Sequence, residues 1–163
     1  MKPLAVLASL CLILAPAMAH QFETATIFVD HPAIQEAPPN APVLGGYAMF
    51  VNTGSEDDRL IAIESPAVDK VELHVSVVTG GIARMTPMTE GLPIPAGASV
   101  WLGDGGSHAM FIKPDRRYVD GDEIPATLIF EKAGRIDVTF MVEKGSRDDL
   151  GKGDGEHGAT DGQ

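Results

Sequence analysis

Glycine and proline, 18 and 12 of the 163 residues, recur as punctuation along this chain, and no convincing helical pattern lies between them. What lies between the breaks is rich in β-branched and aromatic residues, which predicts strands over Thr24–Val29, Gly46–Asn52, Arg59–Ile63, Lys70–Val78, Ile82–Thr86, Ser99–Leu102, Ala109–Lys113, Thr127–Glu131 and Arg135–Val142. Turn signals separate them, among them Pro38-Pro39-Asn40, Thr79-Gly80-Gly81, Pro95-Ala96-Gly97 and Asp120-Gly121-Asp122. Such a series reads as an all-β sandwich or barrel. In the run from Val71 to Val77, one face carries Val71, Leu73, Val75 and Val77 and the other Glu72, His74 and Ser76, because successive side chains on a strand point to opposite sides. Hydrophobic residues at 44% and charged ones at 21% are ordinary for one globular domain. The net charge of −11 argues against nucleic acid as a partner.

The two ends read differently from the middle. Lys2, the apolar run Leu4 to Leu14, Pro16 and the small triplet Ala17-Met18-Ala19 predict a cleavable signal peptide over residues 1–19, with His20 as the new N-terminus. That run is shorter than the ~20 apolar residues that span a bilayer, so no membrane insertion is expected of the mature chain. Cys11 lies inside it, and Leu10 before it is too large for a lipoprotein cleavage site, so the reading is soluble export to the periplasm without lipidation. Cleavage removes the only cysteine, and with it any disulfide, thiolate ligand or cysteine nucleophile. From Lys144 the chain is Gly-rich and acidic with one large apolar residue, Leu150, which predicts a disordered tail over 144–163 after a domain over 20–143.

Without thiolates, any soft-metal chemistry falls to histidine and methionine. His108 and Met110 are two apart, so on a strand they share a side. His74 and Met85 flank the Thr79-Gly80-Gly81 turn, and a two-residue loop of Thr79-Gly80 would set them directly opposite each other, with Cβ atoms about 4.5–5.5 Å apart. A three-residue loop would shift that register by one. Two imidazoles and two thioethers form an uncharged, soft set, which suits Cu(I) and not Mg²⁺ or Ca²⁺. Met49 and Met141 read as core, Met88 as packing near a strand end with an extra ligand as the alternative, and Trp101 as a core aromatic with a shield over the ion as the alternative. Gly103–Ser107 is expected to form an open rim beside His108.

The four residues also carry a resemblance. His74, ten residues, Met85, twenty-two residues, His108, one residue, Met110 resembles the H-x10-M-x21–22-H-x-M motif of periplasmic copper chaperones of the PCuAC type. Flanking blocks agree, including Gly46-Tyr47, Asn52-Thr53-Gly54, Ser65-Pro66-Ala67, Val71-Glu72-Leu73-His74, Gly91-Leu92-Pro93-Ile94-Pro95-Ala96-Gly97 and Phe130-Glu131-Lys132-Ala133-Gly134. The resemblance implies a cupredoxin-like β-sandwich, expected here as one Greek-key domain; a monomer and no enzymatic activity are the accompanying expectations. It implies Cu(I) held by His74, Met85, His108 and Met110 and passed to the copper-site subunit of cytochrome c oxidase, directly or beside a thioredoxin-like assembly protein. The chain departs from the pattern at Pro32-Ala33-Ile34-Gln35, where the family often has Pro-Trp-x-Arg, and at Val75 and Val77, where many members have a second Met. Its tail offers only His157, so secondary Cu(II) capture there is expected to be weak.

Two other readings stay open. As a mature N-terminus, His20 could chelate Cu(II) through its amine and ring, weakly in a carrier or as half of a histidine brace in an enzyme, with His31 the nearest second histidine. A metal-free interaction module would need the β-sandwich alone. No Gly-x-Ser-x-Gly elbow, Walker loop or His-Glu-x-x-His motif occurs. Asp57-Asp58 reads as solvated turn surface.

Overall fold

The computed structural model describes residues 21–24, 26–80, 82–103 and 106–145. The expected leader, His20 and the tail from residue 146 lie outside the described residues. Eleven strands follow one another: β1 (Gln21–Glu23), β2 (Ile27–Gln35), β3 (Val43–Asn52), β4 (Asp58–Glu64), β5 (Val68–Thr79), β6 (Ile82–Pro87), β7 (Leu92–Ile94), β8 (Ser99–Leu102), β9 (Ser107–Pro114), β10 (Glu123–Phe130) and β11 (Gly134–Glu143). There is no α-helix among the described residues, as the Gly/Pro punctuation predicts. No helix of theirs is long and apolar enough to cross a membrane.

Hydrogen bonds link the strands in the order β6-β5-β9-β3-β2-β11-β10-β4-β7, with β1 joining β2 and β8 joining β3. This path doubles back so that its two halves face each other. Phe50 on β3 meets Phe130 on β10 edge to face at 5.8 Å, and Phe111 on β9 meets Phe140 on β11 at 5.2 Å. Both aromatic pairs bridge the layers of a sandwich, in the offset geometry that ring quadrupoles favour. The alternation read from the sequence feeds this core: Leu73 of β5, Ala109 and Phe111 of β9, and Ile136, Val138 and Phe140 of β11 are all buried. The intervening residues of β5 and β9 therefore face outward.

Strand β2 runs further than expected, through His31-Pro32 to Gln35. Asp30 pairs with Met49 but Ala33 with Tyr47, so β2 spends one extra residue there. Proline has no N–H to give to a ladder, and a bulge absorbs the gap, with His31 at a φ of 46°. Past the bulge, β2 pairs in parallel with β11 through Ala33↔Met141 and Ile34↔Val142. The short β1 and β7 were not expected, and β7, with prolines at 93 and 95 of the sequence, carries too little pattern to be read as a strand.

Several side chains sit elsewhere than the sequence reading put them. Met49 and Met141 are half-buried on the outward faces of β3 and β11 and not in the core, since the residues adjacent to each, Ala48, Phe50, Phe140 and Val142, take the inward positions. Trp101 pairs across from Met49 and packs on a satellite cluster of Ala33 and Tyr47, outside the main core, for the same reason. Met88 packs against the core as expected. Asp58 is buried, not solvated: its carboxylate accepts the backbone N–H groups of Arg59 (2.7 Å), Lys132 (2.9 Å) and Ala133 (2.9 Å), tying β4 to the turn between β10 and β11. Lys144 and Gly145, where the tail was expected to begin, are tied down by Asp120 (Lys144 N–H to Oδ1, 3.0 Å) and by Gln35 (Nε2 to the Gly145 carbonyl, 2.7 Å).

Candidate metal centre

Pairing of β5 with β9 sets His74 directly opposite His108 and Glu72 opposite Met110. The two imidazoles lie with centroids 6.2 Å apart and planes tilted by 39°. On the far side of β5, the hairpin to β6 closes at residues 80 and 81, since Thr79 pairs with Ile82. The expected loop of Thr79-Gly80 is thus corrected by one position, which moves every cross-strand partner by two. Met85 stands opposite Ser76, and Pro87 stands opposite His74. A β-branched threonine suits the last strand position, whereas the turn needs positive φ, which Gly80 supplies at 60°. A shift of two preserves the alternation, so Met85 keeps to the face of His74 as a diagonal neighbour, a relation that typically spans about 7–8 Å. His74, Met85, His108 and Met110 therefore share one outward face of three adjacent strands.

Their surroundings differ. His108 is buried at 9% exposure and the His74 side chain is at 12%, whereas Met85 is 63% exposed. Met85 belongs to a two-stranded ribbon that projects past the core, where Val77, Val78 and Ile82 are exposed as well. Val77, expected on the core side, has no opposing layer there. Met110 is half-buried and lies opposite Gly45, where the Tyr47 hydroxyl would come within 3.0 Å of an added Cβ.

Each imidazole is held by one nitrogen. His74 Nε2 is 2.9 Å from Glu72 Oε2, and His108 Nδ1 is 2.9 Å from the Gly106 carbonyl. Both oxygens accept, so each of these nitrogens carries a proton, and in the neutral ring the opposite nitrogen holds the lone pair. Nδ1 of His74 is buried without a hydrogen-bond partner. Buried polar atoms are paired as a rule, and an unpartnered ring nitrogen on the face that also carries His108, Met85 and Met110 has the chemistry of a metal ligand. Hydrogen bonds from Lys70 and then His74 hold the Glu72 carboxyl below its ordinary pKa. No group of three His, Cys, Asp or Glu side chains that could hold a metal occurs among the described residues, and the thioethers of Met85 and Met110 are the soft donors that share this face with the two imidazoles.

Two residues that orient these rings were not assigned that role from sequence. Glu72 was legible as a neighbour of His74 on the same face, but not as its hydrogen-bond partner. Gly106 was read as part of an open rim; instead it packs on β5, where a Cβ would come within 2.4 Å of the Ser76 carbonyl oxygen. Gly103 is likewise covered by Trp101, and Ser107 is buried, so the described part of Gly103–Ser107 is packed and not open. His31 stands apart in the β2 bulge, with Nε2 3.3 Å from a Glu143 carboxylate oxygen. His20 and His157 lie outside the described residues.

The family described as "Putative lipoprotein LpqE-like" matches residues 27–142. A curated relative, "Putative lipoprotein Lxx21020" of Leifsonia xyli subsp. xyli, is 32% identical over 92 residues, which are 56% of this chain and 55% of the relative. The match thus spans little more than half of that relative's length. Among solved structures, the copper-bound PCuAC domain from PmoF2 has a TM-score of 0.64 at 24% identity, covering 77% of this chain and 99% of that domain. The Cu(I) form of DR1885 from Deinococcus radiodurans has a TM-score of 0.56 at 23% identity, covering 69% of this chain and 75% of that protein. The fold is the cupredoxin-like β-sandwich of these PCuAC domains, as the resemblance implied.

Proposed function

This chain belongs to the LpqE-like family, and from that premise we propose that it is a copper carrier, binding one Cu(I) through His74, Met85, His108 and Met110. The observation that carries the reading is the buried, unpartnered Nδ1 of His74, set opposite His108 on a face that also bears two methionines. Imidazole and thioether ligands without a carboxylate or thiolate favour a soft monovalent ion over harder competitors. The PCuAC domain from PmoF2 and DR1885 are both described with copper bound, and their shared sandwich supports the same cargo here. The exposed Met85 ribbon suits exchange. Two imidazoles anchor the ion in partly buried positions, while a thioether at the rim can be replaced by an incoming ligand.

Export to the periplasm is part of this reading, supported by the signal-like leader and by the lipoprotein names of the family and its relative. So is the destination: a copper-accepting protein such as the copper-site subunit of cytochrome c oxidase or a thioredoxin-like assembly protein. Carriage needs no catalytic step. The test is an anaerobic Cu(I) competition titration against a chromophoric chelator, with the protein and its Met85→Ala/Met110→Ala variant. One tight equivalent, lost in the variant, is expected. Absence of tight binding, or binding that the double substitution leaves unchanged, would overturn the site.

A further inference from the structure

Resting on the copper-carrier reading above, we propose that Glu72 is a positioning residue that fixes His74 as its Nε2–H tautomer and so makes Nδ1 the metal-binding nitrogen. His108, held the other way round, would bind through Nε2. The two histidines of the site would thus present opposite ring nitrogens.

Lys70, Glu72 and His74 alternate along one face of β5, so their side chains form a row. Lys70 Nζ donates to Glu72 Oε1, and His74 Nε2 lies against Oε2, so each carboxylate oxygen has a separate partner. A carboxylate oxygen 2.9 Å from a ring nitrogen is the acceptor in that contact, and the lysine holds the carboxylate in place through its other oxygen. The ring must then carry its proton on Nε2. Nδ1 of His74 is the buried side-chain polar atom without a partner among the described residues, and it belongs to the ring that faces His108. A metal satisfies it. A carboxylate behind a ligating imidazole also raises the donor strength of the ring, a relation that recurs around protein-bound metals. Glu72 is read as acting behind the ligands, its two carboxylate oxygens being taken by Lys70 and His74, and no triad of His and carboxylate side chains fit to hold a metal occurs among the described residues. It acts through His74.

The test combines two measurements on the protein and on its Glu72→Gln and Glu72→Leu variants. Long-range proton–nitrogen NMR reads the His74 tautomer in the apo protein and which ring nitrogen shifts when Cu(I) is added. Anaerobic Cu(I) titration reads affinity. The apo protein is expected to show the Nε2–H form, with Cu(I) shifting Nδ1. Glu72→Leu should give mixed tautomers and a dissociation constant raised roughly 10–100-fold. Glu72→Gln retains an oxygen that accepts the ring N–H, and should restore the tautomer and most of the affinity. Glu72 is partly exposed, so these variants are expected to fold, and unchanged His108 resonances in the apo protein serve as the check. An Nδ1–H ring in the apo protein, a Cu(I) shift on Nε2, or a Glu72→Leu variant with unchanged tautomer and affinity would each overturn the proposal. Failure of the unaltered protein to bind Cu(I) would overturn the carrier reading, and the apo tautomers would still decide whether Glu72 fixes the ring.

Discussion

Alanine at position 106 should damage both stability and the metal face, and the two losses can be separated. Gly106 has a φ of 82°, a conformation that costs an L-residue with a side chain about 1–2 kcal/mol. An added Cβ would also lie 2.4 Å from the Ser76 carbonyl oxygen and 3.2 Å from the Ser76 carbonyl carbon and Cβ. These are mostly backbone atoms of β5 that cannot rotate away, so the segment before β9 must shift, and such overpacking costs about 1–3 kcal/mol. The sum is about 2–5 kcal/mol. For a domain of this size a kcal/mol corresponds to roughly 4 °C in melting temperature, so a fall of about 8–20 °C is expected. Gly97 is the control, because its φ is 68° but nothing lies within 4 Å of its Cβ position. Gly97→Ala should cost only the backbone part, about 1–2 kcal/mol. Urea denaturation with matching slopes gives the comparison. The displaced Gly106 carbonyl would also release His108 Nδ1, so Gly106→Ala should weaken Cu(I) binding roughly 10–100-fold and Gly97→Ala should not. Equal stability losses in the two variants would refute the clash. Wild-type Cu(I) affinity in a destabilised Gly106→Ala protein would refute the link from that carbonyl to the site.

Two further perturbations test the frame around the site. Asp58→Ala removes the acceptor of three backbone N–H groups at a buried position and should cost about 2–4 kcal/mol, with faster hydrogen exchange at Lys132 and Ala133. A loss within the ordinary surface range of about 0.5 kcal/mol would contradict the bonding described. Asp122 has its carboxyl pKa lowered by the Val119 N–H and by Arg116, so its contribution is present above the unfolded carboxylate value and lost as pH falls through the lowered folded one. Urea midpoints followed from neutral pH to below about 4, near the free carboxylate value, should therefore fall less steeply in Asp122→Asn. An unchanged acid slope would count against that assignment.

Alternation is local, a consequence of side chains pointing to opposite faces at every second residue, so the sequence by itself determined that His74 turns away from Leu73 and that His108 and Met110 share a side. The same logic found the strands of the core, because a two-residue period and β-branched side chains, as in Val71 to Val77, suit a strand and not a helix. The spacing of the four candidate ligands carried the family resemblance as well. What depended on pairing between distant segments was not written locally. Nothing near position 74 announces that β9, 34 residues later, will put His108 against it, because that neighbour is selected by how whole strands match in the sandwich. The hairpin register rested on one residue of turn geometry, where Thr79 takes the last strand position and the loop falls at 80 and 81. Trp101 and Met49 looked like core because they are apolar, but only the second layer of the sandwich decides which face of β3 and β8 is inside. Asp58 and Gly106 were read as turn residues because their composition is that of turns. Their bonds to Lys132 and His108 and the packing of Gly106 on Ser76 exist only where the folded chain brings separate backbone segments within hydrogen-bonding or van der Waals reach. The ligand types were thus a property of the sequence, and the nitrogen each histidine can offer was decided by tertiary structure, because a ring's tautomer depends on the oxygen that happens to lie beside it.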